Sequence, residues 1–285
     1  MKNIIKTIGL CSLIGFSFFY TDKVVEVIRE EDEIMIELTS VEDVYQVLPV
    51  DAKILGNTII PGLAGRNINI EESYKKMKPS GIFNKNLIIY DTVLPKVSIH
   101  NNKNKFIIKG NPANQMVSIV FILKDNKYLY KIEETLKSKT TAVNYFVDYT
   151  YLINNSTKIK EIGGNEFYSY GDNGVYTLDN LLFSNNLISR IRTNKAIYCL
   201  TSSMAEDVIN LCSKKDLHTI VPTIIGDKTP YANIKNNLSS GSIIMLSMNT
   251  ETINELPIII DYIKGKGLKI VGLSTLLSED IIITN

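Results

Sequence analysis

The sequence predicts an α/β fold in which a largely parallel sheet or barrel is preceded by a small α/β module. From about Ala113 onward, short apolar segments alternate with amphipathic segments, which is typical of successive β-α units. Before that point the chain has its own strand-like and helical segments, so 24–112 is treated as a separate domain. With 285 residues, the chain is long enough for one large and one small domain.

In the small domain, alternation of charged and apolar residues in Glu33–Leu38 predicts a strand. Ser40 is a suitable N-cap for a short helix at Val41–Leu48, and a second helix is predicted at Ile70–Met77. Further strands are expected at Leu87–Tyr90 and Phe106–Ile108.

The larger domain, 113–285, is predicted to alternate strands and helices from its first residues to its last. The predicted strands are Val117–Leu123, Ala142–Val147, Ala196–Leu200, Thr219–Val221, Ile243–Leu246 and Lys269–Val271. The predicted helices are Tyr128–Lys137, Tyr176–Ile191, Met204–Cys212 and Thr250–Lys264. Gly265 and Gly267 mark the end of the last helix.

Residues 1–23 are typical of an export signal. Lys2 and Lys6 precede an uncharged run from Thr7 to Tyr20. As a helix this run spans about 21 Å, less than the ~30 Å hydrocarbon layer, so a cleaved signal and an uncleaved anchor both remain open. No small-x-small cleavage site follows Tyr20, which favours a single-pass anchor with the body outside the cell membrane. Secretion, or a buried N-terminal element of a cytosolic protein, is the alternative.

Charge and cysteine content limit the partners and the covalent framework. Because 31 basic residues balance 30 acidic ones, no strong field would attract nucleic acid. The bulky Leu10 before Cys11 argues against a lipoprotein signal. Cys199 and Cys212 are expected to be buried free thiols, with a disulfide between them as the alternative in an exported protein.

Four stretches of the larger domain resemble, in order and spacing, the polysaccharide deacetylase (NodB-homology) family. They are Val117–Phe121, Thr141–Asp148, Ile159–Ile162 with the following Gly164 and Asn165, and Gly241–Leu246 with Ile253–Val271. The resemblance covers about Ala113 to Ser278. It implies a deformed (β/α) barrel that acts on N-acetylated or O-acetylated glycans outside the cell.

Active members of that family hold a divalent metal with one Asp and two His and use a second Asp as base, because the metal lowers the pKa of its bound water. The aspartate motif falls on Ile122 and Leu123 in this sequence, so both carboxylates are missing. The histidine motif places Glu166 and Tyr170 at the two histidine positions, and Ser247 replaces the last histidine. The resemblance therefore implies a barrel without its metal and without catalytic residues.

Other residues could still bind a ligand in this barrel. The chain has two histidines, and His218 is expected as a polar residue at a strand end. Tyrosines could line a groove that stacks sugar rings, although core packing is the ordinary role of each. The ligand-binding candidates are Glu166, Tyr168, Tyr170, Tyr198 and His218. A relocated metal site would have to draw on Asp125, Asp148, Glu166, Asp172 and His218.

The sequence thus predicts an extracytoplasmic, inactive deacetylase-like protein without a cofactor, which binds a cell-envelope glycan or an envelope protein. One alternative is a divergent zinc-dependent or other metal-dependent carbohydrate deacetylase with relocated ligands. The other is a structural protein of the envelope or spore.

Overall fold

The computed structural model describes residues 31–280 together with Ser17, and residues 31–280 form two compact units. Residues 31–49 and 65–93 form the smaller unit, and residues 50–64 and 94–280 form the larger one. The predicted export segment, 1–23, lies outside the described residues except for Ser17. In the described part of the chain, no helix is both long and apolar enough to cross a membrane.

The two units contain thirteen strands, ten α-helices and four short 3-10 helices among residues 31–280. The strands are β1 Lys53–Leu55, β2 Thr58–Ile60, β3 Gly65–Ile68, β4 Tyr90–Val93, β5 Phe106–Ile107, β6 Met116–Leu123, β7 Asn144–Val147, β8 Glu166–Ser169, β9 Tyr198–Leu200, β10 His218–Ile220, β11 Ile224–Gly226, β12 Ile243–Leu246 and β13 Lys269–Ile270. The helices are α1 Glu33–Ser40, α2 Glu42–Tyr45, α3 Ile70–Met77, α4 Leu129–Ser138, α5 Tyr149–Glu161, α6 Leu178–Ile191, α7 Glu206–Lys214, α8 Pro230–Asn237, α9 Thr250–Gly265 and α10 Leu273–Leu276.

In the smaller unit, the predicted strand at Glu33–Leu38 is wrong, because this segment lies in helix α1. The Asp32 side chain accepts a hydrogen bond from the amide of Ile34 and caps the helix. Ile34 and Leu38, four residues apart, are both buried in the core of this unit. The apolar residues therefore follow helical spacing, although their alternation in the sequence also fits a strand.

The other predicted elements of the smaller unit are confirmed in part. Helix α3 has the predicted bounds, and Asn69 caps it by accepting from the amide of Glu72. The helix predicted at Val41–Leu48 is only the four residues of α2. Where a strand was predicted at Leu87–Tyr90, a short 3-10 helix precedes β4.

The larger unit confirms the predicted α/β class with two largely parallel sheets. In one sheet the strand order is β1-β2-β5-β10-β9, and in the other it is β11-β12-β6-β7-β8 with β13 beside β6. All neighbours pair in parallel except β1 with β2. The strands and helices predicted between 117 and 271 are found within two residues of their predicted ends. Helices α5, α8 and α10 and strands β8 and β11 were not predicted.

Both faces of β6, β7 and β8 are buried. Val120, Phe146 and Tyr168 pack inward with residues of the other sheet, such as Ile107 and Ile220. The alternate residues Phe121, Tyr145 and Phe167 stack in a row on the outer face, with ring centroids 5.8 and 5.3 Å apart, and pack with residues of the surrounding helices. A parallel sheet covered on both faces needs such nearly continuous apolar strands.

The division of the chain differs from the break expected at residue 112. Strand β5 pairs with both β2 and β10, so segments 50–64 and 94–112 each supply a strand to a sheet of the larger unit. Near the end of the described chain, the Glu279 carboxylate accepts hydrogen bonds from the amides of Gly62, at 2.7 Å, and Ile99, at 3.1 Å. Pairing between segments so far apart in the chain cannot be recognised from the local composition of the sequence.

The expectation of two free thiols is wrong, because Cys199 of β9 and Cys212 of α7 form a disulfide. The pair is fully buried in a small cluster with Leu181 and Val208. Its sequence separation is 13 residues. The disulfide therefore ties a barrel strand to the helix that follows it.

Reduction of the disulfide should destabilise the protein. Opening a loop of this length removes about 3 kcal/mol of stabilisation in the chain-entropy account. We expect dithiothreitol to lower the free energy of unfolding of the wild type by about that amount, as measured by urea denaturation. The Cys199→Ala/Cys212→Ala variant is the control, and its stability should not respond to dithiothreitol. With the pairing, the unreduced, unfolded full-length wild type has one titratable thiol, that of Cys11, and three titratable thiols would contradict the pairing.

Candidate functional site

The carboxyl ends of β6, β7, β8 and β12 form the edge at which parallel α/β folds place their functional groups. Leu123, Val147 and Ser169 are neighbours in the register of β6, β7 and β8. The residues just beyond them are Lys124, Asp148 and Tyr170. These three positions share the side-chain parity of the inward-facing residues of their strands.

A pocket of about 220 Å³ opens at this edge, between the ends of β6 and β12. It is lined by Ile122, Lys124, Asp125, Met245, Leu246, Ser247 and Met248. Two positions at which the sequence predicted a missing catalytic group, Ile122 and Ser247, therefore lie at one pocket. Leu123 does not line it, because its side chain is fully buried in the outer core.

A lysine ammonium lies beside this pocket. The Nζ atom of Lys124 is 5.4 Å from the centre of the Tyr170 ring and donates a hydrogen bond to Oδ1 of Asn173. A cation over an aromatic face is stabilised by the ring quadrupole. The ring of Tyr170 is half-buried, and desolvation raises the pKa of its hydroxyl above the ordinary value. Tyr170 is therefore a neutral phenol beside a fixed positive charge.

The carboxylates nearest this edge have structural partners. Asp148 caps α5 by accepting from the amides of Thr150, at 3.0 Å, and Tyr151, at 3.2 Å. Its other oxygen accepts from the amide of Asn173 at 2.7 Å. Asp125 accepts from the amide of Lys127 at 2.8 Å in a local turn. These hydrogen bonds give Asp148 and Asp125 structural roles, as a helix cap and in a turn, which account for their presence at the edge.

Glu166 lies at the opposite end of β8 from Tyr170. It pairs in register with Asn144, the first residue of β7, whereas the amide of Tyr170 bonds to the carbonyl of Val147, the last residue of β7. Four residues of strand correspond to about 13 Å. The Glu166 carboxylate accepts from the Tyr168 hydroxyl at 2.6 Å and from the amide and hydroxyl of Ser274. The two positions taken for the histidine motif are therefore not brought together.

The remaining ligand-binding candidates also lie at the amino ends of the strands or inside the barrel. Tyr198 and His218 are the paired first residues of β9 and β10, and their rings are 5.9 Å apart. Tyr168 is fully buried and contacts Tyr198 edge-to-face at 5.2 Å. Burial raises the pKa values of both phenols. These residues form an interior stack rather than an open groove.

His218 is buried at the base of this stack. His100 is its neighbour, with ring centroids 5.5 Å apart in a T-shaped contact. Burial, with smaller effects from His100 and Lys103, lowers the pKa of His218 to about 4. Asp216, which pairs with Lys103, opposes this shift only weakly. The imidazole is therefore neutral near pH 7.

The chain is similar in sequence and in architecture to known proteins. No family model matches the sequence. YlxY, an uncharacterized protein of Bacillus subtilis (strain 168), is 27% identical over 278 residues, which cover 90% of this chain and 86% of YlxY. The crystal structure of BA3943, a CE4 family pseudoenzyme from Bacillus anthracis, is 22% identical with a TM-score of 0.64, covering 88% of this chain and 97% of that chain.

Two further solved structures extend this likeness. A BA3943 mutant with restored enzymatic activity has a TM-score of 0.65 at 22% identity, and covers 88% of this chain and 100% of its own. The Bc1960 peptidoglycan N-acetylglucosamine deacetylase has a TM-score of 0.52 at 15% identity, covering 61% of this chain and 94% of that chain. The chain has the CE4 polysaccharide-deacetylase fold. The resemblance seen in the sequence is thus confirmed at the level of fold.

The metal of active CE4 deacetylases does not fit the carboxyl edge of this chain. Ile122 offers only carbon, Ser247 offers a neutral hydroxyl, and Lys124 adds a positive charge. Among residues 31–280, no three His, Cys, Asp or Glu side chains are grouped so as to hold a metal ion. The relocated set of Asp125, Asp148, Glu166, Asp172 and His218 is therefore not assembled.

Sequence reasoning missed Lys124 and Asn173 in this CE4-like edge. Lys124 is the first charged residue after an apolar strand, which is the position where a parallel sheet presents functional groups. That signal was available. Asn173 was not recognisable, because it reaches Lys124 only through a turn in which it has a positive φ of 53°.

The stability of the protein should fall in acid because of His218. Its pKa of about 4 in the folded state lies below the ordinary 6.5, so the unfolded chain takes up the proton first. The stabilisation that comes from keeping His218 neutral is complete above pH 6.5. It is lost as the pH falls to about 4, and the loss lowers the free energy of unfolding by at most about 3 kcal/mol.

Urea unfolding of wild type and His218→Phe at several pH values measures this effect. We expect the stability of the variant to depend less on pH between about 6.5 and 4. His100→Asn, at the exposed neighbour, is the control and should keep most of the wild-type dependence. Parallel stability profiles for wild type and His218→Phe would contradict the assignment.

Proposed function

We propose that this protein is a catalytically inactive, deacetylase-like protein that binds an acetylated cell-envelope glycan at the carboxyl edge of its barrel. The observation that carries the proposal is the composition of the pocket at this edge, where Ile122 and Ser247 lie beside the Lys124 ammonium. The general shape of a CE4 deacetylase is retained, while the groups that perform the reaction are replaced.

Loss of hydrolysis follows from the chemistry of amide cleavage. The reaction needs a water whose pKa is lowered and an electrophile that polarises the carbonyl. An isoleucine at position 122 cannot take a proton from water. The ammonium of Lys124 repels a second cation, since like charges in a partly desolvated site oppose each other. The proposal therefore requires no cofactor.

The pocket retains features that suit a sugar. Ile122, Met245 and Met248 give it apolar surface, and Ser247, Lys124 and Asp125 supply hydroxyl, ammonium and carboxylate groups. Pyranose rings carry both apolar faces and hydroxyl edges, so mixed walls of this kind match them. The Bc1960 deacetylase, which shares the fold, is a peptidoglycan N-acetylglucosamine deacetylase. An N-acetylated glycan is the ligand class that this similarity favours.

The proposed location is outside the cytoplasmic membrane, with residues 1–23 as the anchor. The lysine-led apolar run supports export, and the Cys199–Cys212 disulfide is the kind of bond that persists in oxidising compartments. Fractionation of intact cells measures this placement. The protein should sediment with membranes and be degraded by external protease after the wall is removed, and full protection from the protease would contradict it.

Glycan binding is measured with N-acetylated chitooligosaccharides and isothermal titration calorimetry. We expect wild type to bind without acetate release or bound zinc. Ser247→Tyr should lower the affinity about tenfold or more, because a phenol ring fills most of a pocket of this size. Ser40→Tyr makes the same substitution at an exposed serine of the smaller unit and should leave binding unchanged.

The other outcomes separate the alternatives. Acetate release with stoichiometric metal would overturn the inactive assignment. Equal binding by wild type and Ser247→Tyr would remove the carboxyl edge as the glycan site. No binding of any glycan, together with a reproducible protein partner, would favour the structural role in the envelope or spore.

A further inference from the structure

A second and larger cavity lies outside the barrel, between helices α4 and α5. Its volume is about 1080 Å³, compared with about 220 Å³ for the pocket at the carboxyl edge. It is bounded by α4, by the end of α5 and by the Gly163–Gly164 turn that leads into β8. We call it the helix groove. Its volume is at the upper end of the range of ligand pockets in proteins.

The floor of the helix groove holds a half-buried carboxylate, that of Glu133. Its Oε1 atom accepts hydrogen bonds from the Tyr145 hydroxyl at 2.5 Å and from Nδ2 of Asn165 at 2.9 Å. Within residues 31–280, Oε2 has no hydrogen-bond partner, and Glu133 forms no ion pair. One oxygen of a partly desolvated carboxylate is thus left for another group.

The charge of Arg192 acts on Glu133, but the hydrogen bonds of Arg192 go to backbone carbonyls. The Arg192 guanidinium donates to the backbone carbonyls of Ile159, Ile162 and Asn165. Asn165 is itself buried, and its Oδ1 accepts from the amide of Val143 at 2.9 Å. Asn165 therefore holds Oε1 of Glu133 in place, and Arg192 binds the backbone carbonyls around it.

The walls of the helix groove are largely apolar. Leu129, Leu136 and Ile162 line it, and the Tyr130 ring at its rim is 80% exposed. The charged residues around it are three glutamates and two lysines, namely Glu133, Glu134, Glu161, Lys137 and Lys158. A long basic side chain suits such a site, since its alkyl stem packs on apolar surface while its charged end meets the carboxylate.

We propose that the helix groove binds an arginine side chain of a partner peptide, with the guanidinium on Oε2 of Glu133 and the stem against the groove wall beside the exposed Tyr130 ring. Oε2 of this half-buried carboxylate has no hydrogen-bond partner in the described residues, and a guanidinium can donate a charge-assisted hydrogen bond to it. The Tyr130 ring can cover the guanidinium face. Desolvation holds the pKa of Glu133 above its ordinary value, against its two hydrogen bonds, and a bound cation would lower that pKa.

Fluorescence anisotropy with two labelled pentapeptides, Ala-Leu-Arg-Leu-Ala and Ala-Leu-Gln-Leu-Ala, tests the proposal on the full-length protein. The arginine peptide should bind wild type about tenfold more tightly than the glutamine peptide. Glu133→Gln should abolish this preference while keeping the bond from Tyr145. Glu206→Gln neutralises an exposed carboxylate that does not line the groove and should change the preference less than about twofold. Tyr130→Ala, at a surface ring, should weaken only the arginine peptide.

Three results would overturn the proposal. The first is equal affinity of wild type for the two peptides. The second is an equal loss in Glu133→Gln and Glu206→Gln, which would indicate general attraction by negative charge. The third is displacement of the arginine peptide by N-acetylated chitooligosaccharides, which would make the helix groove a sugar site. Because Ser247→Tyr does not touch this groove, glycan binding at the carboxyl edge succeeds or fails independently.

Discussion

The β6-β7-β8 ladder is buried on both faces, and this constraint decides what each residue on these strands can do. Strand side chains alternate between the two faces, so Ile122 turns towards the interior while Leu123 packs under the helices. Position along the strand is equally decisive. Tyr170 lies at the carboxyl edge, and Glu166, on the same face, lies at the amino end with Ser274. Sequence similarity alone does not distinguish these two ends.

The elements that were predicted from sequence are those with strong local signals. The apolar strand at 116–123 and the helix at 250–265 have clear periodicity and terminal residues, and both were located to within a residue. The strand predicted at Glu33–Leu38 was wrong because the sequence fits both the strand period and the helix period. Only the burial of Ile34 together with Leu38 distinguishes the helix. The placement of β2 and β5 in the larger unit depends on pairing across about fifty residues, which no local pattern encodes.

The sequence identified some residues of the site, but it did not predict which of them lie together in the fold. The resemblance identified Ile122 and Ser247, and the structure places both at one pocket. It assigned Glu166 and Tyr170 to one motif, although the two lie at opposite ends of β8. The interior stack of Tyr168, Tyr198 and His218 was taken for ligand-binding residues because sequence shows aromatic content and not burial. The disulfide was missed for a similar reason, since Cys199 and Cys212 meet only after α7 folds back on β9.

The two sets of hydrogen bonds made by Asp148 limit which substitutions this barrel tolerates at that position. One of its oxygens caps α5 and the other fixes the backbone at Asn173, the residue that accepts a hydrogen bond from Lys124. If the Asp148 carboxylate bound another group instead, α5 would lose its N-cap. The backbone at Asn173, which positions the partner of Lys124, would lose its hydrogen bond as well. Substitution of Asp148 would thus lower stability at two places, whereas substitutions at exposed positions cost little.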